Sequence, residues 1–271
     1  MPSPLRAPSP AGAARAPRAT SQSYWRVSRA PRYSLLFALP LLAAYETLAA
    51  LLGRGGGPEV RNGAEVFLTG VISLVAGARA SAVVIGIVVL ACVALAGRDW
   101  RRNRGALRPR VFLVMLAESA ALAMVCGLVV GTATARLLHA IGPRMAILAA
   151  PTVAPGAAEA GFGLSTRLML SLGAGLFEEL VFRVLLVGAM ALALRRVLGA
   201  RPVTAGAVAS VVGALVFSAA HYVGPYGDAL TLQSFVFRAL AGLFFSALFM
   251  LRGFGITAWT HALYDVLVLV A

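Results

Sequence analysis

Gly175-Leu176-Phe177-Glu178-Glu179-Leu180-Val181-Phe182-Arg183 lies inside an apolar run over 166–194. A run of that length is enough for a helix to cross the roughly 30 Å of bilayer hydrocarbon. Ionisable side chains at such depth are expensive, and they face a bundle interior or a watery cavity. On a helix Glu179 and Arg183 are four residues apart and share a face, with the acid N-terminal to the base, the favourable order. Glu178 is turned about 100° from that pair. One carboxylate is therefore tied into an ion pair while its neighbour is left without that partner. A carboxylate in a low-dielectric pocket suits a general base. The plainer alternative is a satisfied ion pair beside a glutamate that faces an aqueous vestibule.

The rest of the chain has the same character. Of 271 residues, 60% are hydrophobic, and the mean hydropathy is +0.86. Those values exclude a soluble globule and predict an all-α, polytopic membrane bundle of about seven to eight transmembrane helices with an intramembrane polar cavity. Spans are expected near 34–52, 80–96, 111–131, 166–194, 203–221, 233–251 and 255–271. A weaker stretch at 64–77 is a spanning, re-entrant or interfacial candidate. Three regions follow. Residues 1–32 read as a disordered basic cytoplasmic tail, 33–160 as N-terminal transmembrane helices, and 161–271 as a second membrane domain.

The formal net charge is +14, and all 24 basic residues are Arg. With the abundant Ala, Gly and Val, this resembles the coding bias of a GC-rich bacterial genome. Arg6, Arg15, Arg18, Arg26, Arg29 and Arg32 precede the first span. Arg98, Arg101, Arg102, Arg104, Arg108 and Arg110 fill the loop after the 80–96 span. Arg-rich loops stay cytoplasmic, so the lipid bilayer accounts for this charge and no nucleic acid is expected as a partner. The predicted location is the bacterial plasma membrane, multi-pass, with the N-terminus inside. Cys92 and Cys126 fall within spans as small hydrophobes and form no metal-ligand spacing.

Two further polar pairs fall in the last third of the chain. His221 closes the 203–221 span four residues after Phe217, which could wall a pocket. His261 and Asp265 share a face of the last helix, where a carboxylate can fix an imidazole tautomer or join it in binding a metal.

Glu-Glu-x-x-x-Arg at 178–183, Phe-x-x-x-His at 217–221 and His-x-x-x-Asp at 261–265, in this order on successive membrane helices, resemble the CAAX-protease and bacteriocin-processing (CPBP, or Abi) family of intramembrane endopeptidases. The resemblance covers roughly 160–271, and the region before it adds only a compatible set of helices. It implies that 161–271 is the catalytic membrane domain, that Glu178 activates water with the help of His221, that Glu179 and Arg183 brace the site, and that His261 and residue 265 stabilise the oxyanion. Such stabilisation is commonly the greatest single contribution to the rate of amide hydrolysis. The implied partner is a peptide or membrane-protein substrate, and no cofactor is implied. Many members carry Asn where this chain has Asp265. An ionised Asp265 would repel an oxyanion and would instead orient or charge His261. That departure keeps open a zinc alternative, with His221, His261 and Asp265 as ligands and Glu178 as base.

Simple threading does not bring these groups together. His221 falls at the far end of its span, whereas His261 lies only about six residues, roughly 9 Å, into the last one. The sequence therefore predicts that the 203–221 helix ends in mid-membrane, or that 222–232 dips back beside a water-filled cavity, with Gly224-Pro225-Tyr226-Gly227 permitting the break. Glu46 and Glu118 are expected to pair internally, Arg238 being one candidate partner. A proton-coupled transporter would use similar buried groups but would need paired repeats or broken helices, and neither is visible. A non-catalytic immunity or scaffold protein is the third reading.

Overall fold

A computed structural model describes residues 24–54, 60–102, 106–141, 161–224 and 227–270. Each expected span coincides with helix: α2 (Pro31–Gly53), α4 (Ala80–Arg102), α5 (Pro109–Ile141), α8 (Pro202–Ala220), α9 (Leu232–Arg252) and α10 (Phe254–Val270). The run expected over 166–194 is α6 (Leu164–Gly173), a π-helical segment (Ala174–Val187) and α7 (Gly188–Val197), which follow one another without a break. Among the described residues, five helices are long and apolar enough to cross a membrane, and the chain is a multi-pass membrane protein. The stretch expected at 64–77 forms α3 (Gly63–Ala76). Its 14 residues span about 21 Å, less than a full crossing.

Most of the expected tail, residues 1–23, lies outside the described residues, but its last part is ordered. Tyr24–Ser28 forms the short helix α1. It is fastened by Arg252, whose guanidinium lies 3.9 Å from the Trp25 ring, donates to Ser28 Oγ, and grips both carboxylate oxygens of Glu118 at 2.5 and 2.7 Å. Tyr24 donates to the same carboxylate.

Helix starts and stops follow local chemistry. Thr231 Oγ1 caps α9 by accepting from the Ser234 N–H, and Asn62 Oδ1 caps α3 by accepting from the Ala64 N–H. Pro202 opens α8 at a position where a missing N–H matters least. Gly253, at φ 81°, turns the chain sharply from α9 into α10.

Helix α10 occupies the centre. Ile256, Thr257, Ala258, Thr260 and Ala262 are fully buried, and the helix packs against α2, α5, α6, α9 and the π-helical segment. It runs beside α2 in the same direction, since the Gly255 N–H donates to Ser34 Oγ and Trp259 Nε1 donates to the Phe37 carbonyl. Small residues allow close approach. A Cβ at Gly175 would overlap the Ala258 carbonyl and the Ala262 backbone, so the π-helical segment lies nearly backbone-to-backbone against α10. Helix α4 lies at the periphery, with the apolar side chains of Leu90, Val93 and Leu95 exposed.

Gly175→Val should lower the thermal midpoint in detergent by the equivalent of about 1–3 kcal/mol, the usual cost of overpacking. Gly86→Ala, with nothing within 4 Å of the new Cβ, should leave the midpoint unchanged or slightly raised.

Candidate active site

In the π-helical segment the hydrogen bonds run from i to i+5, as where the Gly188 N–H reaches the Arg183 carbonyl. That geometry ordinarily occurs as a single turn inserted in an α-helix, often at functional sites. Here it extends over 14 residues and carries both acids. The Glu179 side chain is 0% exposed and that of Glu178 14%.

Glu179 is the junction of the site. Its Oε2 lies 3.2 Å from Arg183 Nε, the ion pair expected from the four-residue spacing. Its Oε1 lies 2.6 Å from His261 Nδ1. A carboxylate can only accept, so that nitrogen carries hydrogen and Nε2 is left to face the interior. The flat faces of both partners are walled by aromatic rings. The Arg183 guanidinium sits 4.3 Å from the Phe217 ring and 5.5 Å from that of Phe245, and the His261 ring stacks on Phe245 at 4.4 Å and 15°.

Glu178 points elsewhere. Its Oε2 lies 3.9 Å from His221 Nε2 and 3.9 Å from His261 Nε2, beyond hydrogen-bond length for either. Its Oε1 accepts from the Asn62 amide at 3.1 Å. His221 caps the C-terminus of α8, and its Nδ1 lies 2.8 Å from the Phe217 carbonyl, so Nδ1 is again the protonated nitrogen. Phe217, expected as a pocket wall, meets the rings of both His221 and Phe182 edge-on. Asp265 Oδ2 is 3.6 Å from His261 Nε2, with the Asp265 side chain 28% exposed. The structure thus gathers Glu178, Glu179, Arg183, His221, His261 and Asp265 around one imidazole and one carboxylate.

The depth mismatch is met by the chain after α8. The Asp228 N–H returns to the His221 carbonyl, Tyr222 donates to Ser234 Oγ, and Arg238 binds both Asp228 and Ser234. The segment folds back on the helix end, holding His221 level with Glu178. Pro225 and Tyr226 of the expected break lie outside the described residues. Arg238 therefore pairs with Asp228, and the two acids suggested for it are held by other arginines, Glu46 by Arg61 and Glu118 by Arg252.

Sequence reading missed Asn62. An Asn just ahead of an apolar helical run signals a helix start, but nothing local announces a second partner 116 residues away. The N-terminal helices are consequently part of the site, not merely compatible with it. Among the described residues, no group of three His, Cys, Asp or Glu side chains is placed to hold a metal ion.

A buried carboxylate–histidine cluster inside an all-helical membrane bundle has the groups to activate a water or to relay protons. The comparison with protein families narrows the choice. Residues 161–267 match the family model described as type II CAAX prenyl endopeptidase Rce1-like, which places this region in the CAAX-protease family and makes the chain a peptidase. No curated protein and no solved structure matches the chain.

Arg183→Ala would strand a fully buried Glu179 charge and should destabilise the fold by about 3–5 kcal/mol in thermal or denaturant unfolding. The double change Glu179→Leu/Arg183→Met, which removes both charges, should recover much of that loss.

Proposed function

We infer that this chain cuts peptide bonds by direct attack of a water activated by Glu178. The observation that carries the reading is the position of Glu178 Oε2, 3.9 Å from Nε2 of both His221 and His261. A water set to one side of the line joining these groups reaches both Glu178 Oε2 and an imidazole Nε2 at hydrogen-bond length, whereas direct hydrogen bonds would have closed the gap. With Nδ1–H committed to the Phe217 carbonyl, neutral His221 offers the Nε2 lone pair. The attacking water gives one hydrogen to Glu178 Oε2 while its other is held by His221. Its oxygen bonds to the scissile carbonyl carbon, and the carbonyl π pair moves onto oxygen. His261 faces that oxyanion. Donation from Nε2 requires the doubly protonated ring, with Glu179, Glu178 and Asp265 as its counter-charges. Glu178 then passes its proton to the departing amine as the C–N bond breaks. Asp265 acts through His261, the role an ionised carboxylate can fill, and does not itself donate to the oxyanion.

The proposed domain carrying this chemistry is 161–271, with 33–160 closing the site through Asn62 and a basic leading segment, 1–32, whose last part packs on the bundle as α1 and the start of α2. The proposed orientation follows from where arginines collect. Arg32 pairs with Asp99 at 3.3 Å, the Arg108 N–H donates to Tyr33, Arg29 donates to the Met250 carbonyl, and Gly206 abuts Met250. These contacts put the starts of α2, α5 and α8 on one side with the ends of α4 and α9. That side also bears Arg26, Arg98, Arg101, Arg102, Arg110, Arg195, Arg196 and Arg201, and a basic side is cytoplasmic. The N-terminus is then inside. The composition fits a bacterial plasma membrane, so the proposed substrate is a membrane-associated precursor or peptide tail cut at the bilayer, not a prenylated CAAX tail.

Purified protein in detergent, offered a peptide library, should cleave, and Glu178→Gln should lower the rate about 10²–10⁴-fold, the usual share of a general base. His261→Ala should cost about 10²–10³-fold if it serves the oxyanion, while Asp265→Asn should remain active. Cleavage at the wild-type rate by Glu178→Gln would overturn the reading. Loss of wild-type activity on chelation, with recovery in zinc, would favour the metal alternative.

A further inference from the structure

We propose that Asn62, at the junction of the N-terminal helices, is the positioning residue that fixes the orientation of the Glu178 carboxylate. The inference rests on the reading of Glu178 as the water-activating group.

A helix N-cap needs only a side-chain oxygen, which Ser, Thr or Asp would supply equally well. Asn62 uses its oxygen in that way, accepting from the Ala64 N–H at 2.9 Å, and spends its amide nitrogen on Glu178 Oε1 at 3.1 Å. The amide cannot be turned round, because its oxygen would then face the carboxylate and its NH₂ the Ala64 N–H. A third contact fixes the backbone, where the Asn62 N–H donates to the Tyr45 hydroxyl at 3.2 Å.

That hydroxyl is itself held. Tyr45 donates to Glu65, Glu65 lies 3.5 Å from Arg61, and Arg61 reaches Glu46 at 3.1 Å. Tyr45, Asn62 and Glu65 are all buried. The Tyr45 ring also meets Phe177, the residue before Glu178, edge-on at 5.4 Å. Room for this strut comes from Gly173, where a Cβ would lie 2.6 Å from the Tyr45 ring and 3.0 Å from Asn62 Cβ. Three separate elements, α2, the N-terminus of α3 and the end of α6 at Gly173, thus meet around Asn62, which holds one oxygen of one carboxylate.

The consequence is a division of labour between the two oxygens. With Oε1 anchored, the carboxylate does not rotate about its terminal bond, and Oε2 stays toward His221 and His261. The anchor is a neutral amide, so it orients the base without setting another formal charge beside it. The adjacent Glu179 shows the contrast, since its partner is the guanidinium of Arg183.

The test compares wild type, Asn62→Ser, Asn62→Asp and Glu178→Gln on one peptide cut by the wild type. Asn62→Ser keeps a capping oxygen and loses only the donor. It should lower kcat about 10- to 100-fold, as expected for a misdirected reacting group, with KM within about twofold and an unchanged thermal midpoint. Asn62→Asp also keeps the cap but sets a carboxylate against Glu178. The groups already beside Glu178 are His221 of α8, His261 of α10 and the Asn62 amide itself, with the Arg183 charge of its own segment acting from farther off. The added like charge should move the acid limb of the kcat profile to higher pH. Wild-type kcat in Asn62→Ser, or a fall in Asn62→Asp that tracks lost stability with the acid limb unmoved, overturns the proposal. If Glu178→Gln is inactive while Asn62→Ser is unimpaired, this inference alone fails. If Glu178→Gln cleaves normally, the water-activation reading fails and takes this one with it.

Discussion

A single carboxylate, that of Glu179, holds the interior of this protein together. It is fully buried, and each of its oxygens has one partner, Arg183 Nε at 3.2 Å and His261 Nδ1 at 2.6 Å. Taking charges out of water is costly, and the arrangement is stable only where each is compensated. The compensation is also structural. Arg183 belongs to the same π-helical segment as Glu179 and His261 to the central helix α10, so the contact sets both the register and the ring orientation of α10 against that segment. With Nδ1 committed, Nε2 has one direction left to face, and that direction holds Glu178 and Asp265. The aromatic rings of Phe217 and Phe245 close the sides of the cation and the imidazole. The proposed chemistry is downstream of this tie.

The two neighbouring glutamates show how environment divides identical side chains. Glu179 faces a guanidinium and an imidazole N–H, and its geometry is that of a brace. One residue earlier, Glu178 is held by a neutral amide on one oxygen and faces two imidazole nitrogens across 3.9 Å on the other. Both acids sit on the π-helical segment, which also lies almost in backbone contact with α10 at Gly175.

Much of this was legible in the sequence, for physical reasons. Apolar runs of membrane length predict helices because the bilayer leaves backbone polar groups no other partner, and those runs are helical here. The Glu179–Arg183 pair was readable because a four-residue spacing is a local property. His261 and Asp265, also four apart, were readable as neighbours, but the bond from His261 to Glu179 was not, since it joins helices 82 residues apart. The π-helical geometry has no simple residue signature. Asn62 was invisible because a capping asparagine looks the same whether or not its amide nitrogen reaches a distant carboxylate. Helix rise alone called for one of two solutions, a 203–221 helix ending in mid-membrane or a dip back at 222–232, but it gave no sign of Asp228 and Arg238, which tie the chain after α8 to α9.

Whether Glu178 serves as a base on water or as a nucleophile that becomes acylated is the point on which the account stands. A single turnover in H₂¹⁸O, sampled by rapid acid quench and followed by mass spectrometry of both the product peptide and the proteolytic fragment containing Glu178, distinguishes them. Direct attack of water predicts one ¹⁸O in the new product carboxylate and, at every time point, a Glu178 fragment without label, without the acyl mass and without a hydroxamate when hydroxylamine is added. A Glu178 fragment that carries the acyl group, its hydroxamate or ¹⁸O would show that the carboxylate had been acylated, and would contradict the account.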